Sequence, residues 1–348
     1  MFTNKNRFRT LYVGFSFKHH GEHSGYDLIR KCIAYDLHYD CQREFDFLQK
    51  LTTKRKILAK IYFKIFGNRL FWVEFRCILY SLLHKNIIFH FIYSENIYRY
   101  LGYFKGKTNK IVCTLHQPAA FFESNPKYLV GAKYIDRIIV LSKDMVIPIQ
   151  EIFQTSEVHY IPHGVDTSYF KLSNHKAAQN LLMVGNWMRN FEFANLVFKR
   201  LLSINKHITI QVVTLNENYK YFDQKLPIKL MSNVTNDQLL HLYQNSDILF
   251  LPLNDFTANN TLLEGASCGC KIIIATNKNI DSSYLDKKYL NIIPFDIKLV
   301  STFILKCLNE PNSNKNDISE FIKDNYAWSV IGKLTLEVLL NKYINPIN

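Results

Sequence analysis

Short apolar runs alternate with segments of helical period along nearly the whole chain. Such runs are typical of strands buried on both faces of a parallel sheet, and the segments between them are long enough for crossover helices. The predicted strands are 10–17, 86–93, 110–116, 136–142 and 158–161 in the first half, and 181–185, 208–214, 228–231, 247–252, 271–276 and 291–294 in the second. This alternation predicts an α/β protein with parallel sheets.

The polar stretch 169–179 follows neither period and separates the two sets of strands. We therefore expect two domains, one formed by residues 1–171 and the other by residues 172–327. A helix is predicted at 26–38, directly after the first strand. The tail from Trp328 has a helical pattern to about residue 343.

Composition narrows the class of protein. The 348 residues are enough for two α/β domains with separate cores. The chain has 43 Lys and Arg against 29 Asp and Glu, a net charge of +14, which suits nucleic acid, an anionic membrane surface or a phosphate-bearing substrate. The lysines spread over both predicted domains without an RRM, zinc-finger or helix-turn-helix pattern, so binding of nucleic acid is disfavoured.

The cysteines and the apolar runs bear on the cellular compartment. An odd number of cysteines without CxxC spacing, mostly inside apolar runs, indicates reduced core thiols in a cytosolic protein. The apolar stretch near the N-terminus is too short for a signal peptide, and no run reaches the roughly 18 apolar residues of a membrane span. We expect a cytoplasmic protein, with attachment to the inner face of the membrane left open.

A basic amphipathic segment lies at 54–66, within the longer basic and aromatic run 54–76. Lys56, Lys60 and Lys64 recur every four residues beside a broad apolar face. One interpretation is an ordinary domain helix with a solvated row of lysines. The other is a segment that lies on an anionic membrane surface.

A polar insert follows the predicted strand 247–252. Asn259, Asn260 and Thr261 would form the start of a helix, and Glu264 would lie in its first turns. Ligands of open α/β sheets bind at the carboxyl ends of strands, where helix N-termini offer free amides to phosphate. Glu264 would accept the hydroxyl groups of a ribose, or these residues would cap the helix and do nothing more.

The predicted strand 181–185 also ends in a polar turn. Gly185, Asn186 and Arg189 follow one another between this strand and a helical run. A strand, a glycine and a turn with an arginine indicate a second anion site at the same sheet edge. Arg189 would stabilise charge on a leaving diphosphate, unless it is an ordinary surface arginine.

Two loops of the first domain carry further candidates. Gly21, His23, Ser24 and Gly25 follow the first strand, and the glycines would let the backbone approach a ligand closely. His116 ends another strand. The string HHGEH at 19–23 suggests a metal, but its spacing differs from a helical HExxH pair, so we predict no metal site and no cofactor.

Together these motifs resemble the retaining GT-B glycosyltransferases of family 4, also called group 1. The string IPHGVD at 161–166, with Phe170, is similar to that family's interdomain signature. Val184-Gly185 with Arg189 resembles its diphosphate-binding turn, and 246–269 resembles its donor-binding block. The position eight before Glu264, where the family often has an acid, holds Phe256, and no lysine follows Arg189 in its turn.

The resemblance implies two Rossmann-like, doubly wound domains that face a cleft, with the helix 328–348 returning to the first domain. It implies transfer of a sugar from a nucleotide sugar to a glycan or lipid-linked acceptor, with retention and without metal, in synthesis of envelope polysaccharide or glycolipid. By the same resemblance Glu264 binds the ribose, Arg189 the diphosphate, the amides of 259–261 the phosphate or sugar, and His116 the donor sugar.

Other functions stay open at this stage. A nucleotide-sugar epimerase of the same fold would use carboxylates and histidines as bases. An inactive GT-B scaffold is a second alternative, because the upstream acid and the lysine are missing. A basic protein that binds nucleic acid is a third alternative, and a steep salt dependence of DNA binding would favour it.

Overall fold

The computed structural model describes residues 7–17, 21–66, 70–173, 179–255, 258–278, 285, 288–310 and 314–342. These residues form two compact units. The first comprises the described parts of 1–20, 25–162 and 331–348, and the second those of 21–24 and 163–330.

The first unit is built on a parallel six-stranded sheet. Its strands are β1 (Arg9–Gly14), β2 (Leu37–Asp40), β3 (Ile87–Phe91), β4 (Lys110–Leu115), β5 (Arg137–Val140) and β6 (Glu157–Tyr160), in the order β2-β1-β3-β4-β5-β6. Every residue of β3 is buried, as expected for a central strand covered on both faces.

Helices connect these strands. They are α1 (Gln42–Lys54), α2 (Lys56–Phe66), α3 (Phe71–Leu83), α4 (Ser94–Ile97), α5 (Leu101–Phe104), α6 (Ala119–Ser124) and α7 (Val146–Phe153). No helix in the described part of the chain combines the length and the apolar character needed to cross a membrane.

The second unit has its own parallel six-stranded sheet. Its strands are β7 (Asn180–Val184), β8 (Thr209–Val213), β9 (Ile228–Met231), β10 (Ile248–Pro252), β11 (Lys271–Ala275) and β12 (Leu290–Ile293), in the order β12-β11-β10-β7-β8-β9. This is the 3-2-1-4-5-6 order of dinucleotide-binding folds, read from the opposite edge. The prediction of a doubly wound α/β fold is confirmed.

The helices of the second unit are α8 (Phe191–Ile204), α9 (Asn236–Gln244), α10 (Asn260–Ser267), α11 (Ile297–Asn309), α12 (Lys315–Tyr326) and α13 (Trp328–Leu339), whose later residues belong to the first unit. Two clusters of buried apolar side chains fill the two faces of the sheet. Leu249 and Leu251 of β10 belong to one cluster, whereas Ile248 and Phe250 belong to the other.

The prediction of a helix at 26–38 is wrong. The structure has a short 3-10 helix at Tyr26–Lys31 and then β2 at the sheet edge. The residues of β2 alternate between partly buried and exposed, and a short edge strand with polar positions has no continuous apolar run to reveal it. The residue before β2, Asp36, is fixed to β1, because the backbone N–H of Thr10 donates to its carboxylate at 2.8 Å.

The contacts divide the chain after Pro162, whereas the sequence pattern placed the boundary after residue 171. Val165 forms a bridge with Ala327, and its N–H donates to the Tyr326 carbonyl at 2.8 Å. Phe170 is 1% exposed and lies in the core of the second unit. These contacts attach 163–170 to the second unit before β7 begins.

Candidate functional site

The strand order of the second sheet reverses between β7 and β10. From β7 the chain proceeds to β8 and β9 on one side, and from β10 to β11 and β12 on the other. Ligands of open α/β sheets bind at such a switch point, beyond the carboxyl ends of the strands. The two loops that follow β7 and β10 carry Gly185, Arg189 and Asn259.

Backbone hydrogen bonds join these two loops. Arg189 forms an antiparallel bridge with Leu253. The N–H of Asn190 donates to the Pro252 carbonyl at 2.9 Å, and that of Asn254 donates to the Met188 carbonyl at 2.9 Å. The loop after β7 is therefore fixed against the loop after β10, which holds both sets of polar side chains in one place.

Neutral acceptors surround the Arg189 guanidinium. Its Nε donates to the Val184 carbonyl at 3.2 Å, its Nη1 to the Trp187 carbonyl at 3.1 Å, and its Nη2 to Asn259 Oδ1 at 3.5 Å. Burial lowers its pKa to about 10, so it stays charged at neutral pH. Among the ion pairs of the described residues, none involves Arg189. A partly buried cation without a carboxylate partner favours binding of an anion.

Gly185 makes this placement of Arg189 possible. Its φ is 124°, in the region that residues other than glycine rarely adopt. A Cβ at this position would lie 2.7 Å from Arg189 Nη2. The glycine therefore supplies both the turn at the end of β7 and the space for the guanidinium.

The N-terminus of α10 lies beside Arg189. Asn259 is the N-cap, and its Oδ1 accepts from the Leu262 N–H at 3.2 Å. Asn260 is the first helical residue, and Thr261 follows it in the first turn, near the Tyr243 hydroxyl. The first amides of this helix and the Arg189 guanidinium form one electropositive region.

Glu264 is buried one turn further along α10, at 5% exposure. Its carboxylate accepts from the Ser24 hydroxyl, and its Oε2 accepts from the Tyr243 hydroxyl at 2.9 Å. Burial raises the pKa of this carboxyl, although the two hydrogen bonds oppose the shift. Hydroxyl groups of two protein side chains therefore already occupy this carboxylate.

The segment 21–24 packs on the second unit. His23 stacks on Tyr169 with ring centroids 3.5 Å apart, and its Nδ1–H donates to Asp166 at 2.8 Å. Burial would raise the pKa of Asp166, but hydrogen bonds from Ser168 and His23 lower it. Gly21 has a φ of 67°, and a Cβ there would clash with the Asn236 amide at the start of α9. These contacts hold Ser24 against Glu264.

Other candidates have local roles in this structure. Asn186 is exposed, and its Oδ1 accepts from the Thr214 hydroxyl at 3.0 Å and from the Leu215 N–H at 2.7 Å. Gly25, with a φ of 115°, precedes the 3-10 helix of the first unit. The structure thus brings together Gly185, Arg189, the start of α10 and Glu264, with Ser24, a candidate from the loop after the first strand, bonded to Glu264.

His116 lies in the first unit, directly after β4. Its Nε2–H donates to the Ile92 carbonyl at 2.8 Å, and its backbone N–H donates to Glu95 at 2.5 Å. Burial lowers the pKa of His116 to about 4. The imidazole is therefore neutral at physiological pH.

Two of the side chains in this region lie outside the sequence motifs. Tyr243 reaches Glu264 from α9, and nothing in its helical spacing separates it from a core tyrosine. Tyr169 stacks on His23, although the sequence assigns 169 to an irregular stretch. No group of three or more His, Cys, Asp or Glu in the described part of the chain is placed to hold a metal ion. His19 and His20 lie outside the described residues.

Solved structures with the same architecture identify the fold. A glycosyltransferase from Rickettsia africae ESF-5 aligns with a TM-score of 0.63 at 14% identity, over 97% of this chain and 99% of that one. Anabaena HepE, solved with UDP and glucose, aligns with a TM-score of 0.62 at 10% identity, over 96% and 100%. The chain has the GT-B fold.

TarM extends this GT-B comparison, with a TM-score of 0.61 at 12% identity over 77% of this chain. The chain spans 58% of the length of TarM. No protein-family model and no curated protein matches the sequence. The shared property is therefore the GT-B architecture, within which Arg189 and Glu264 lie at the switch point of the second sheet.

Proposed function

We propose that this protein is a glycosyltransferase that moves a sugar from a nucleoside diphosphate sugar to a glycan or lipid-linked acceptor. The observation that carries the proposal is the Arg189 guanidinium, which lies partly buried at the switch point of a dinucleotide-type sheet and is bonded only to carbonyl and amide oxygens in the described contacts. A diphosphate is the anion that best fits this cation and the adjacent helix N-terminus.

The proposed donor pose follows from the arrangement of groups along α10. Its phosphates contact Arg189 and the first amides of the helix, and its ribose hydroxyls donate to Glu264. The distance of one helical turn between the N-terminus and Glu264 suits a nucleotide that lies along the helix start. Proteins of similar fold bind such ligands: HepE was solved with UDP and glucose, and a point mutant of S. aureus TarM with UDP, Fondaparinux and α-GlcNAc-glycerol.

The proposed reaction retains the anomeric configuration and uses no metal. The acceptor hydroxyl forms a bond to the anomeric carbon on the face that the nucleoside diphosphate leaves. The bond from that carbon to the diphosphate breaks, and the acceptor proton passes to a leaving phosphate oxygen. Arg189 stabilises the charge that develops on this oxygen. His116 is part of the proposal through the family resemblance, as a contact of the donor sugar, and the expected pathway is synthesis of envelope polysaccharide or glycolipid.

Thermal-shift screening against UDP, GDP, ADP, CMP and their sugars tests the donor site. A ligand that binds only the folded protein raises Tm. At a hundredfold excess over Kd it adds about 2.7 kcal/mol to the free energy of unfolding. We expect one base to raise the Tm of the wild type and to have a much smaller effect on Arg189→Ala. Glu320→Gln, at an exposed position of the same unit, is the control. The absence of any shift would contradict the proposal and favour an inactive scaffold.

The sugar transfer itself needs a second assay. The donor identified by thermal shift is incubated with and without a panel of glycan and lipid-linked acceptors, and the anomeric configuration of any product is read by NMR. We expect an α-linked product from an α-linked donor, formed only with acceptor and in the presence of a metal chelator. Conversion of the donor sugar without acceptor would instead indicate an epimerase.

A further inference from the structure

Exposed apolar side chains concentrate on α2 and α3 of the first unit. Of the 21 large hydrophobic residues exposed in the described part of the chain, nine lie on these two helices. They are Ile57, Leu58, Ile61 and Ile65 on α2, and Trp72, Phe75, Leu79, Leu82 and Leu83 on α3. Their exposed fractions range from 39% for Phe75 to 80% for Leu83. Clustered exposure of this kind marks an interaction surface.

The apolar residues of α2 form a stripe rather than a scatter. Ile57, Ile61 and Ile65 recur every four residues and therefore lie on one side of the helix. Their exposed fractions are 76%, 50% and 66%. The opposite side packs on the protein, because Ala59 is 4% exposed. On α3, Trp72, Phe75, Leu79 and Leu82 follow the same helical spacing.

Basic residues flank the apolar stripe of α2. Lys56, Lys60 and Lys64 form an adjacent row and are all exposed, as is Arg55. Between residues 47 and 94 the sequence has nine Lys and Arg but a single acid, Glu74. Glu74 is 3% exposed, and its carboxylate accepts from the backbone amides of 99–101. The exposed charge of this described region is therefore positive.

The helices do not need these exposed side chains to stay in place. The Glu44 carboxylate of α1 accepts from the backbone amides of Trp72 and Val73 at 2.9 and 3.0 Å, which fixes the start of α3. Tyr62 of α2 interacts electrostatically with the same carboxylate. Both helices are thus anchored through Glu44, and their outer faces are available for a partner.

We propose that α2 and α3 bind the surface of an anionic lipid bilayer. The apolar stripe would enter the boundary between headgroups and acyl chains, while the lysine row contacts the anionic headgroups. Long lysine side chains suit this position, because their stems pack on apolar surface and their ammonium groups reach the polar layer. A nucleic acid would match the charge but not the exposed isoleucines and leucines. This proposal does not depend on the donor site.

Flotation of the 348-residue protein with lipid vesicles tests the proposal. The two probes are vesicles of phosphatidylcholine alone and vesicles with about 30% phosphatidylglycerol. The charge variant is Lys56→Gln, Lys60→Gln and Lys64→Gln together. Its matched control removes three exposed lysines of the second unit, with Lys225→Gln, Lys229→Gln and Lys298→Gln. Both variants lose the same net charge.

The apolar contribution needs its own pair of variants. Ile57→Gln, Ile61→Gln and Ile65→Gln change the exposed stripe of α2. Ile147→Gln, Ile204→Gln and Leu299→Gln change side chains that are 71%, 54% and 50% exposed elsewhere. Circular dichroism and Tm show whether each variant is folded, which separates loss of binding from loss of structure.

We expect the wild type to bind anionic vesicles at least about tenfold more tightly than neutral ones, with affinity that falls as salt is added. The α2 charge and apolar variants should each lose at least about tenfold in partition coefficient, whereas both controls should change it less than about twofold. Equal losses in the α2 and control variants would overturn the proposal. The proposal would also be overturned if the wild type bound neither kind of vesicle. The same holds if the wild type formed a dimer that the apolar α2 variant abolished.

Discussion

The Nη2 of Arg189 lies 3.5 Å from Oδ1 of Asn259, which is the N-cap of α10. The two residues follow different strands, β7 and β10, and the parallel sheet places the ends of these strands side by side. One amide oxygen thus contacts both the guanidinium and the Leu262 N–H. This shared oxygen links the cation to the helix start, and both would meet the same phosphate.

Replacement of Arg189 by lysine should abolish this link although the charge is kept. Three nitrogens of the guanidinium each donate to a different acceptor, and a lysine ammonium cannot reproduce that planar arrangement. We expect Arg189→Lys to lower kcat/KM with the identified donor at least tenfold, about 1.4 kcal/mol of transition-state binding. Arg43→Lys, at an exposed position of α1, is the matched change and should leave kcat/KM unaltered. Equal activity in both variants would remove Arg189 from the site.

Replacement of Gly185 by alanine should displace the same guanidinium. The φ of 124° disfavours a side chain, and the new Cβ would lie 2.7 Å from Nη2. We expect Gly185→Ala to lose at least about 1 kcal/mol of stability and to bind the nucleotide at least about tenfold more weakly. Calorimetric titration measures the affinity, with Gly106→Ala, at a position without positive φ, as the comparison. A destabilised Gly185→Ala that still binds with wild-type affinity would show that the glycine serves the turn alone.

The central strands and the position of the donor loops were predictable from the sequence. The strand predicted at 247–252 is observed as Ile248–Pro252, because a strand buried on both faces must be apolar throughout. Parallel topology then forces polar segments after such strands to one sheet edge. The sequence alone therefore predicted that Gly185, Arg189 and Asn259 lie in one region.

Contacts between distant segments were not predictable in this way. Ser24 and Glu264 are 240 positions apart in sequence, and no local pattern relates them. Tyr243 reaches Glu264 from a neighbouring helix, and its spacing on α9 is the same as that of a core residue. The short strand β2 was missed because its register on β1, and not its own composition, makes it a strand.

Removal of the Ser24 hydroxyl should strengthen nucleotide binding. Ser24 donates to the carboxylate of Glu264, and a ribose hydroxyl in the proposed pose would have to replace it. We expect Ser24→Ala to lower the Kd of the identified nucleoside diphosphate, by about threefold to tenfold for one exchanged hydrogen bond. The Kd of the 2′,3′-dideoxy analogue should stay unchanged, because that ligand has no hydroxyl to donate.

The matched variant for this experiment is Ser168→Ala. Its hydroxyl donates to Asp166 at 2.5 Å, in the same unit but on a different carboxylate. We expect no change of Kd for either nucleotide with this variant. If Ser24→Ala altered the affinities for the ribose and dideoxyribose forms equally, the hydroxyl exchange on Glu264 would be wrong.

Replacement of Glu264 by glutamine should raise stability while it weakens donor binding. Burial raises the pKa of Glu264 above its ordinary value of 4.5, so the folded protein keeps this proton to a higher pH than the unfolded chain. The contribution of this group to stability is therefore full at acid pH and is lost as the pH rises from the unfolded to the folded pKa. A glutamine has no such loss, because it carries no charge to bury.

We expect the Tm of Glu264→Gln to be similar to that of the wild type near pH 4.5 and to exceed it increasingly as the pH rises through the raised pKa of the folded protein. The same variant should bind the nucleoside diphosphate about tenfold more weakly, since hydrogen bonds to a charged acceptor are stronger than those to a neutral one. Glu320→Gln, at an exposed position of α12, should change neither quantity. A Tm difference for Glu264→Gln that does not vary with pH would mean that this carboxyl keeps an ordinary pKa. In that case the hydrogen bonds from Ser24 and Tyr243 would offset the cost of burying the charge.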